Sequence, residues 1–202
     1  MRPFVSALLV LVLWGAPVPA QERVIVAFGD SLTAGLGVPL EQSYPSLLEA
    51  RLRAEGYPYK VVNAGVSGDT TAGGLRRVDW ALRLKPEIVI VELGANDALR
   101  GQGLDAVRAN LDELIGRFQA AGARVLLVGM RLPPNYGQYG AQFQRIFHEV
   151  ARARGAALVP FFLDGVGGNP RLNQPDGIHP TAEGYRVVVE RLWPYLKPLL
   201  AR

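Results

Sequence analysis

The sequence predicts a single-domain α/β fold, a three-layer α/β/α sandwich around a five-stranded, mainly parallel sheet. Three observations carry this expectation. Five short aliphatic runs recur along the chain, each bounded by Gly, Asn or Pro. Helix-length amphipathic segments alternate with them, the pattern of a parallel sheet covered on both faces. The 202 residues, 49% hydrophobic and 20% charged, contain no repeat, low-complexity tract or linker that would divide them.

Taken in order, residues 1–20 read apart from the rest. Arg2, the apolar run Phe4 to Trp14, Gly15, Pro17, Pro19 and Ala20 have the layout of a signal peptide with cleavage after Ala20. The run is short for a membrane span, and the prolines would break a helix extending it. The mature domain is therefore expected over residues 21–202, periplasmic or secreted, without stable membrane insertion. Strands are expected at Val24 to Phe28, Lys60 to Val62, Glu87 to Leu93, Arg124 to Val128 and Ala157 to Phe161. Helical periodicity runs over Ser43 to Glu55, Leu75 to Leu84, Leu104 to Ala121, Gln138 to Arg154 and Thr181 to Leu200. Ser43 and Ser46 fit helix caps.

Composition excludes several classes of chemistry. The formal charge is +4, but its basic residues are scattered and do not interleave with aromatics, so nucleic acid is not an expected partner. The chain has no cysteine, which removes disulfides, thiolate metal sites, cysteine nucleophiles and a lipidated N-terminal Cys. Its two histidines, His148 and His179, are too far apart in sequence for a His-x-x-x-His metal site. Gly29, Gly35 and Gly37 do not make a dinucleotide fingerprint, and no cofactor is expected.

In an open parallel sheet, ligands bind beyond the carboxyl ends of the strands. The polar motifs fall there: Gly29-Asp30-Ser31, Ser67-Gly68-Asp69, Gly94-Ala95-Asn96-Asp97 and Asp176-Gly177-Ile178-His179. His148 lies within helical periodicity and reads as a surface or packing residue. His179 lies in a Gly- and Pro-bracketed turn, where Asp176 can accept from Nδ1 and leave Nε2 free as a base. Ser31 follows a strand in a tight turn, which suits a nucleophile as well as a helix cap. Gly68 offers a backbone N–H and Asn96 a side-chain amide for a developing oxyanion, although both also suit turn or capping roles. Asp30 reads as a structural acceptor beside Ser31. Gly65-Val66-Ser67-Gly68-Asp69 lacks the last glycine of a nucleophile elbow, leaving Ser67 a distant second candidate. Leu32, Leu99, Leu132 and Tyr136, in the same loops, are candidates for an apolar substrate groove.

These four ordered blocks resemble the GDSL or SGNH hydrolases, named for a Ser, Gly, Asn and His on separate blocks. Phe28 to Gly35, Gly65 to Thr70, Gly94 to Asp97 and Asp176 to Pro180 carry the resemblance. Val91-Glu92-Leu93, Leu99-Arg100-Gly101 and Arg131 to Gly137 make the chain similar to the bacterial periplasmic thioesterase, lysophospholipase and arylesterase subgroup. The resemblance implies a flavodoxin-like sheet. It also implies Ser31 as nucleophile, His179 as base and Asp176 as its orienter, with the Ser31 N–H, the Gly68 N–H and the Asn96 amide as oxyanion donors. The expected reaction is hydrolysis of a small-molecule acyl ester or thioester, and a monomer is expected. A carbohydrate O-acetylesterase with the same triad and a non-catalytic binding module are the rival readings.

Overall fold

The computed structural model describes residues 23–201, so the leader expected over residues 1–20 lies outside the described residues. Strands β1 (Arg23–Gly29), β2 (Tyr59–Gly65), β3 (Ile88–Glu92), β4 (Arg124–Val128) and β5 (Ala157–Val159) make one sheet in the order β2-β1-β3-β4-β5. Every pairing in it is parallel, from β1 on β2 through β4 on β5. The physical reason is the spacing between runs: each connection contains a helix, which carries the chain back to begin the next strand in the same direction. The order reverses at β1, and the switch point opens a crevice at its carboxyl end.

Two helical layers cover the sheet. Helices α2 (Tyr44–Ala54) and α7 (Ala182–Leu196) pack together on one face, and α3 (Thr71–Arg83), α5 (Leu104–Ala120) and α6 (Gly137–Arg154) form the other layer. Burial on both sides explains why β3 reads Ile-Val-Ile-Val without alternation: all five of its residues are buried. Aromatic edges lock the layers, with Phe28 of β1 meeting Phe118 of α5 at 5.3 Å between ring centroids and Tyr44 of α2 meeting Phe162 at 5.2 Å.

The structure departs from the sequence expectation at element ends. Two single-turn helices, α1 (Ser31–Ala34) and α4 (Ala95–Leu99), stand where only loops are expected, because one turn is too short to show periodicity. α3 begins at Thr71 instead of Leu75: the Thr70 hydroxyl accepts from the Gly73 N–H at 3.1 Å and caps a turn whose two glycines hide its helical character. α7 stops at Leu196 rather than Leu200, since Pro198 has no N–H to continue it and the chain tightens into a 3-10 turn over Lys197–Leu199. Ser43 occupies the N-cap position of α2, yet its hydroxyl donates to the Leu40 carbonyl at 2.6 Å, as does Ser46 at 2.8 Å. These serines secure the preceding turn and do not cap the helix.

Candidate active site

The first polar block is placed by the end of β1. Asp30 caps α1, its Oδ1 accepting from the Leu32 N–H at 3.0 Å, so Ser31 becomes the first residue of the turn. β2 ends against this turn with almost no clearance. A Cβ at Gly65 would stand 2.1 Å from the Ala34 backbone nitrogen, which is why a glycine is required there.

The last block comes to Ser31 from the far end of the sequence. Asp176 Oδ1 accepts from the backbone N–H groups of Ile178 and His179, each at 3.0 Å, and closes the loop on itself. Its Oδ2 accepts from His179 Nδ1 at 2.7 Å, and His179 Nε2 lies 2.9 Å from Ser31 Oγ. With the ring proton on Nδ1, the serine hydroxyl donates to Nε2, which is placed to take its proton. The backbone N–H of His179, then that of Ile178 and the ring bond, hold the Asp176 carboxyl down at about 2 against the opposing effect of partial burial. Asp176 is thus an anion at neutral pH. The His179 side chain is only 12% exposed, so its Ser31 contact is largely shielded.

Three further donors were expected near Ser31. Among the described residues, no intramolecular acceptor engages the backbone N–H of Ser31 or of Gly68. Gly68 takes a φ of 78°, the left-handed conformation expected of a turn glycine. Asn96, in the first turn of α4, donates through Nδ2 to Asp30 Oδ2 at 2.9 Å and has a second N–H to offer.

The groove candidates divide. Leu99 stands 47% exposed. Leu132 and Tyr136 are half-buried and approach each other around Gly140, and Tyr139 beside them donates to the Gln102 carbonyl at 2.9 Å, which links this segment to the loop after Leu99. Leu32 departs from the expectation: it is buried within the core, because the second position of α1 faces the sheet. Neither a cavity of about 330 Å³ edged by Arg131, Phe161 and Tyr195 nor one of about 360 Å³ edged by Asn169, Gln174 and Gly177 is lined by Ser31 or His179. His148 and Ser67 are exposed on the surface.

Several residues that brace the site carry no motif. Arg77 donates to the carbonyls of Gly29 and Ala64, both at 2.8 Å, and to Asp69 at 2.7 Å, while its guanidinium lies 3.8 Å from the Phe28 ring centroid. It thereby binds the ends of β1 and β2. Gln174 reaches across the site, its Nε2 donating to Leu36 O at 2.7 Å and Pro180 O at 2.9 Å, while its backbone N–H donates to His179 O at 2.7 Å. It fastens the His179 loop to the Ser31 loop. Glu92, wholly buried at the end of β3, accepts from Thr33 Oγ1 at 2.7 Å and from the Asp30 N–H at 3.3 Å. Burial first, and then the Asp30 charge, raise Glu92 well above the usual carboxyl range, and burial lifts Asp30 to about 6. A carboxylate ending a strand of aliphatic residues, and lying within the resemblance, was the available signal for Glu92. Nothing in the spacing marks Arg77 or Gln174.

Comparison with known proteins gives the family. The GDSL-like Lipase/Acylhydrolase family matches residues 27–187. The chain is 47% identical to Esterase TesA of Pseudomonas aeruginosa, covering 96% of this chain and 97% of the relative. It is 40% identical to the arylesterase of Vibrio mimicus, covering 85% and 86%, and 35% identical to thioesterase 1/protease 1/lysophospholipase L1 of Escherichia coli, covering 90% and 86%. A crystal structure of TesA superposes with a TM-score of 0.86 over 88% of this chain and all (100%) of that one, at 47% identity. The chain belongs to the GDSL-like lipase/acylhydrolase, or SGNH, family and is a serine ester hydrolase.

Proposed function

We propose that Ser31, His179 and Asp176 act as nucleophile, base and orienter in two-step hydrolysis of acyl esters and thioesters, with the Ser31 N–H, the Gly68 N–H and the Asn96 amide as the oxyanion hole. The continuous chain from Ser31 Oγ through both ring nitrogens to Asp176, with its 2.9 and 2.7 Å links, carries this reading. As Ser31 Oγ attacks the acyl carbon, its proton passes to Nε2 and the new charge sits on the carbonyl oxygen. Collapse breaks the bond to the leaving oxygen or sulfur, Nε2 returns the proton to that group, and an acyl-Ser31 ester remains. Water then repeats the sequence and frees the acid. The anionic Asp176 favours the imidazolium formed in both steps.

The exposed Leu99, the neighbouring Leu132 and Tyr136, and the names of the relatives support an apolar acyl or aryl substrate over a charged polymer. The leader of residues 1–20 supports export to the periplasm or medium, and among the described residues no helix is long and apolar enough to cross a membrane. The test is hydrolysis of p-nitrophenyl acetate and octanoate, an acyl-CoA, a lysophospholipid and an acetylated sugar by wild-type enzyme and Ser31→Ala. Turnover of the acyl esters and thioester, lost in Ser31→Ala, is expected. Undiminished turnover in Ser31→Ala refutes the assignment, and exclusive use of the sugar ester refutes the substrate class.

A further inference from the structure

Asn96 differs from the two backbone donors in one respect. A peptide N–H can only donate, whereas a carboxamide has a donor end and an acceptor end of nearly the same shape, exchanged by a half-turn of its terminal torsion. Only the NH2 end can stabilise an oxyanion; the flipped amide would set its carbonyl oxygen toward the developing charge. The only hydrogen bond that fixes this choice in the described residues is from Nδ2 to Asp30 Oδ2, at 2.9 Å. An ionised carboxylate accepts and cannot donate, so it rejects the flipped amide, which would bring two oxygens together.

We propose that Asp30 is a positioning residue for the oxyanion hole, holding the Asn96 carboxamide with its second N–H toward Ser31 Oγ. The proposal rests on the reading of Asn96 as an oxyanion donor. Asp30 is itself held from several sides. It is 1% exposed, with Oδ1 taken by the Leu32 N–H and its own N–H on Glu92 Oε2. The titratable groups facing it are Glu92 from β3, Tyr44 from α2, Tyr185 from α7 and His179 from the last loop. Of the carboxyl pair, Asp30 accepts an N–H on each oxygen, from Leu32 and from Asn96, whereas Glu92 Oε1 has no partner, so the hydrogen bonding favours the negative charge on Asp30, on the side of Asn96. The Asp of the Gly-Asp-Ser turn therefore has two jobs, one per oxygen: Oδ1 caps α1, and Oδ2 aims Asn96.

Asp30→Ser separates these jobs, because a serine hydroxyl still caps a helix but is too short to reach Asn96. Asn96→Ala is expected to lower kcat by about 100-fold or more, the loss typical of one oxyanion donor. Asp30→Ser is expected to lower kcat by at least about 10-fold with KM within about 2-fold, since the donor is lost chiefly from the transition state. Combined with Asn96→Ala it should slow the enzyme by less than about 2-fold more, as residues acting in series are not additive. Asp30→Asn fills the same volume should Ser leave the turn unfolded. It can satisfy the Leu32 N–H only by turning its own NH2 toward Asn96, so the same loss is expected. A wild-type kcat in Asp30→Ser overturns the proposal, as does a full multiplicative loss on top of Asn96→Ala. A wild-type rate in Asn96→Ala overturns the oxyanion reading and the proposal with it.

Discussion

Glu92→Gln should make the protein more resistant to rising pH while preserving the shape of its interior. In the fold, Glu92 is wholly buried, accepts two hydrogen bonds on Oε2, and has no partner on Oε1. Burial is the first cause of its raised pKa, so the folded protein keeps the proton where the unfolded chain, titrating at an ordinary 4.5, releases it. A raised folded pKa gives stability that is whole below pH 4.5 and is lost as pH climbs toward the folded value. The slope approaches about 1.4 kcal/mol per pH unit wherever the unfolded carboxyl is ionised and the folded one is not, so wild type loses stability as pH rises above 4.5 that the uncharged glutamine does not. For a domain of this size each kcal/mol of that loss corresponds to about 2–4 °C in melting temperature. The amide NH2 placed at the unpartnered Oε1 position costs about 1–3 kcal/mol at every pH, which offsets the curve without tilting it. Urea unfolding of both proteins at pH 4.5, 5.5 and 6.5, compared at equal m, isolates the slope. A wild-type-to-variant difference that stays constant across that range refutes the protonated Glu92.

Gly65→Ala should destabilise the fold by about 1–3 kcal/mol or more and lower activity with it, because the new Cβ meets the α1 backbone at 2.1 Å; thermal melting beside esterase rates checks both. Gln174→Ala removes one hydrogen bond between the His179 and Ser31 loops, to Leu36 O, and one within the His179 loop, to Pro180 O, worth about 0.5–1.5 kcal/mol each, and should lower kcat. An unchanged kcat would show that Gln174 does not set the Ser31–His179 distance. Asp176→Asn should lower kcat by about 10⁴-fold with little change in KM, through loss of the preferred His179 tautomer, and steady-state kinetics at pH 7 will show it.

The strand and helix order was readable because each buried strand is a continuous aliphatic run and each covering helix has its own stripe. The carboxyl-end loops then followed from parallel topology alone, which is how Ser31, Gly68, Asn96 and His179 could be gathered from four distant segments. Two kinds of feature were not readable. One is the single-turn helix: Ser31–Ala34 and Ala95–Leu99 are set by an Asp cap and by tertiary contact, not by periodicity. The other is the brace: Arg77 and Gln174 act through carbonyls of segments far away in sequence, so no local spacing announces them. The burial of Leu32 was unreadable for a related reason, since sharing a loop with the nucleophile says nothing of which side of a one-turn helix faces the core.

The central claim, that His179 activates Ser31 as the nucleophile, is tested most directly by stoichiometric labelling with a fluorophosphonate followed by peptide mass mapping. One adduct per chain is expected, on the peptide containing Ser31, absent from Ser31→Ala and formed at a greatly reduced rate in His179→Ala. Labelling at Ser67, or labelling of Ser31 as fast without His179 as with it, would contradict the account.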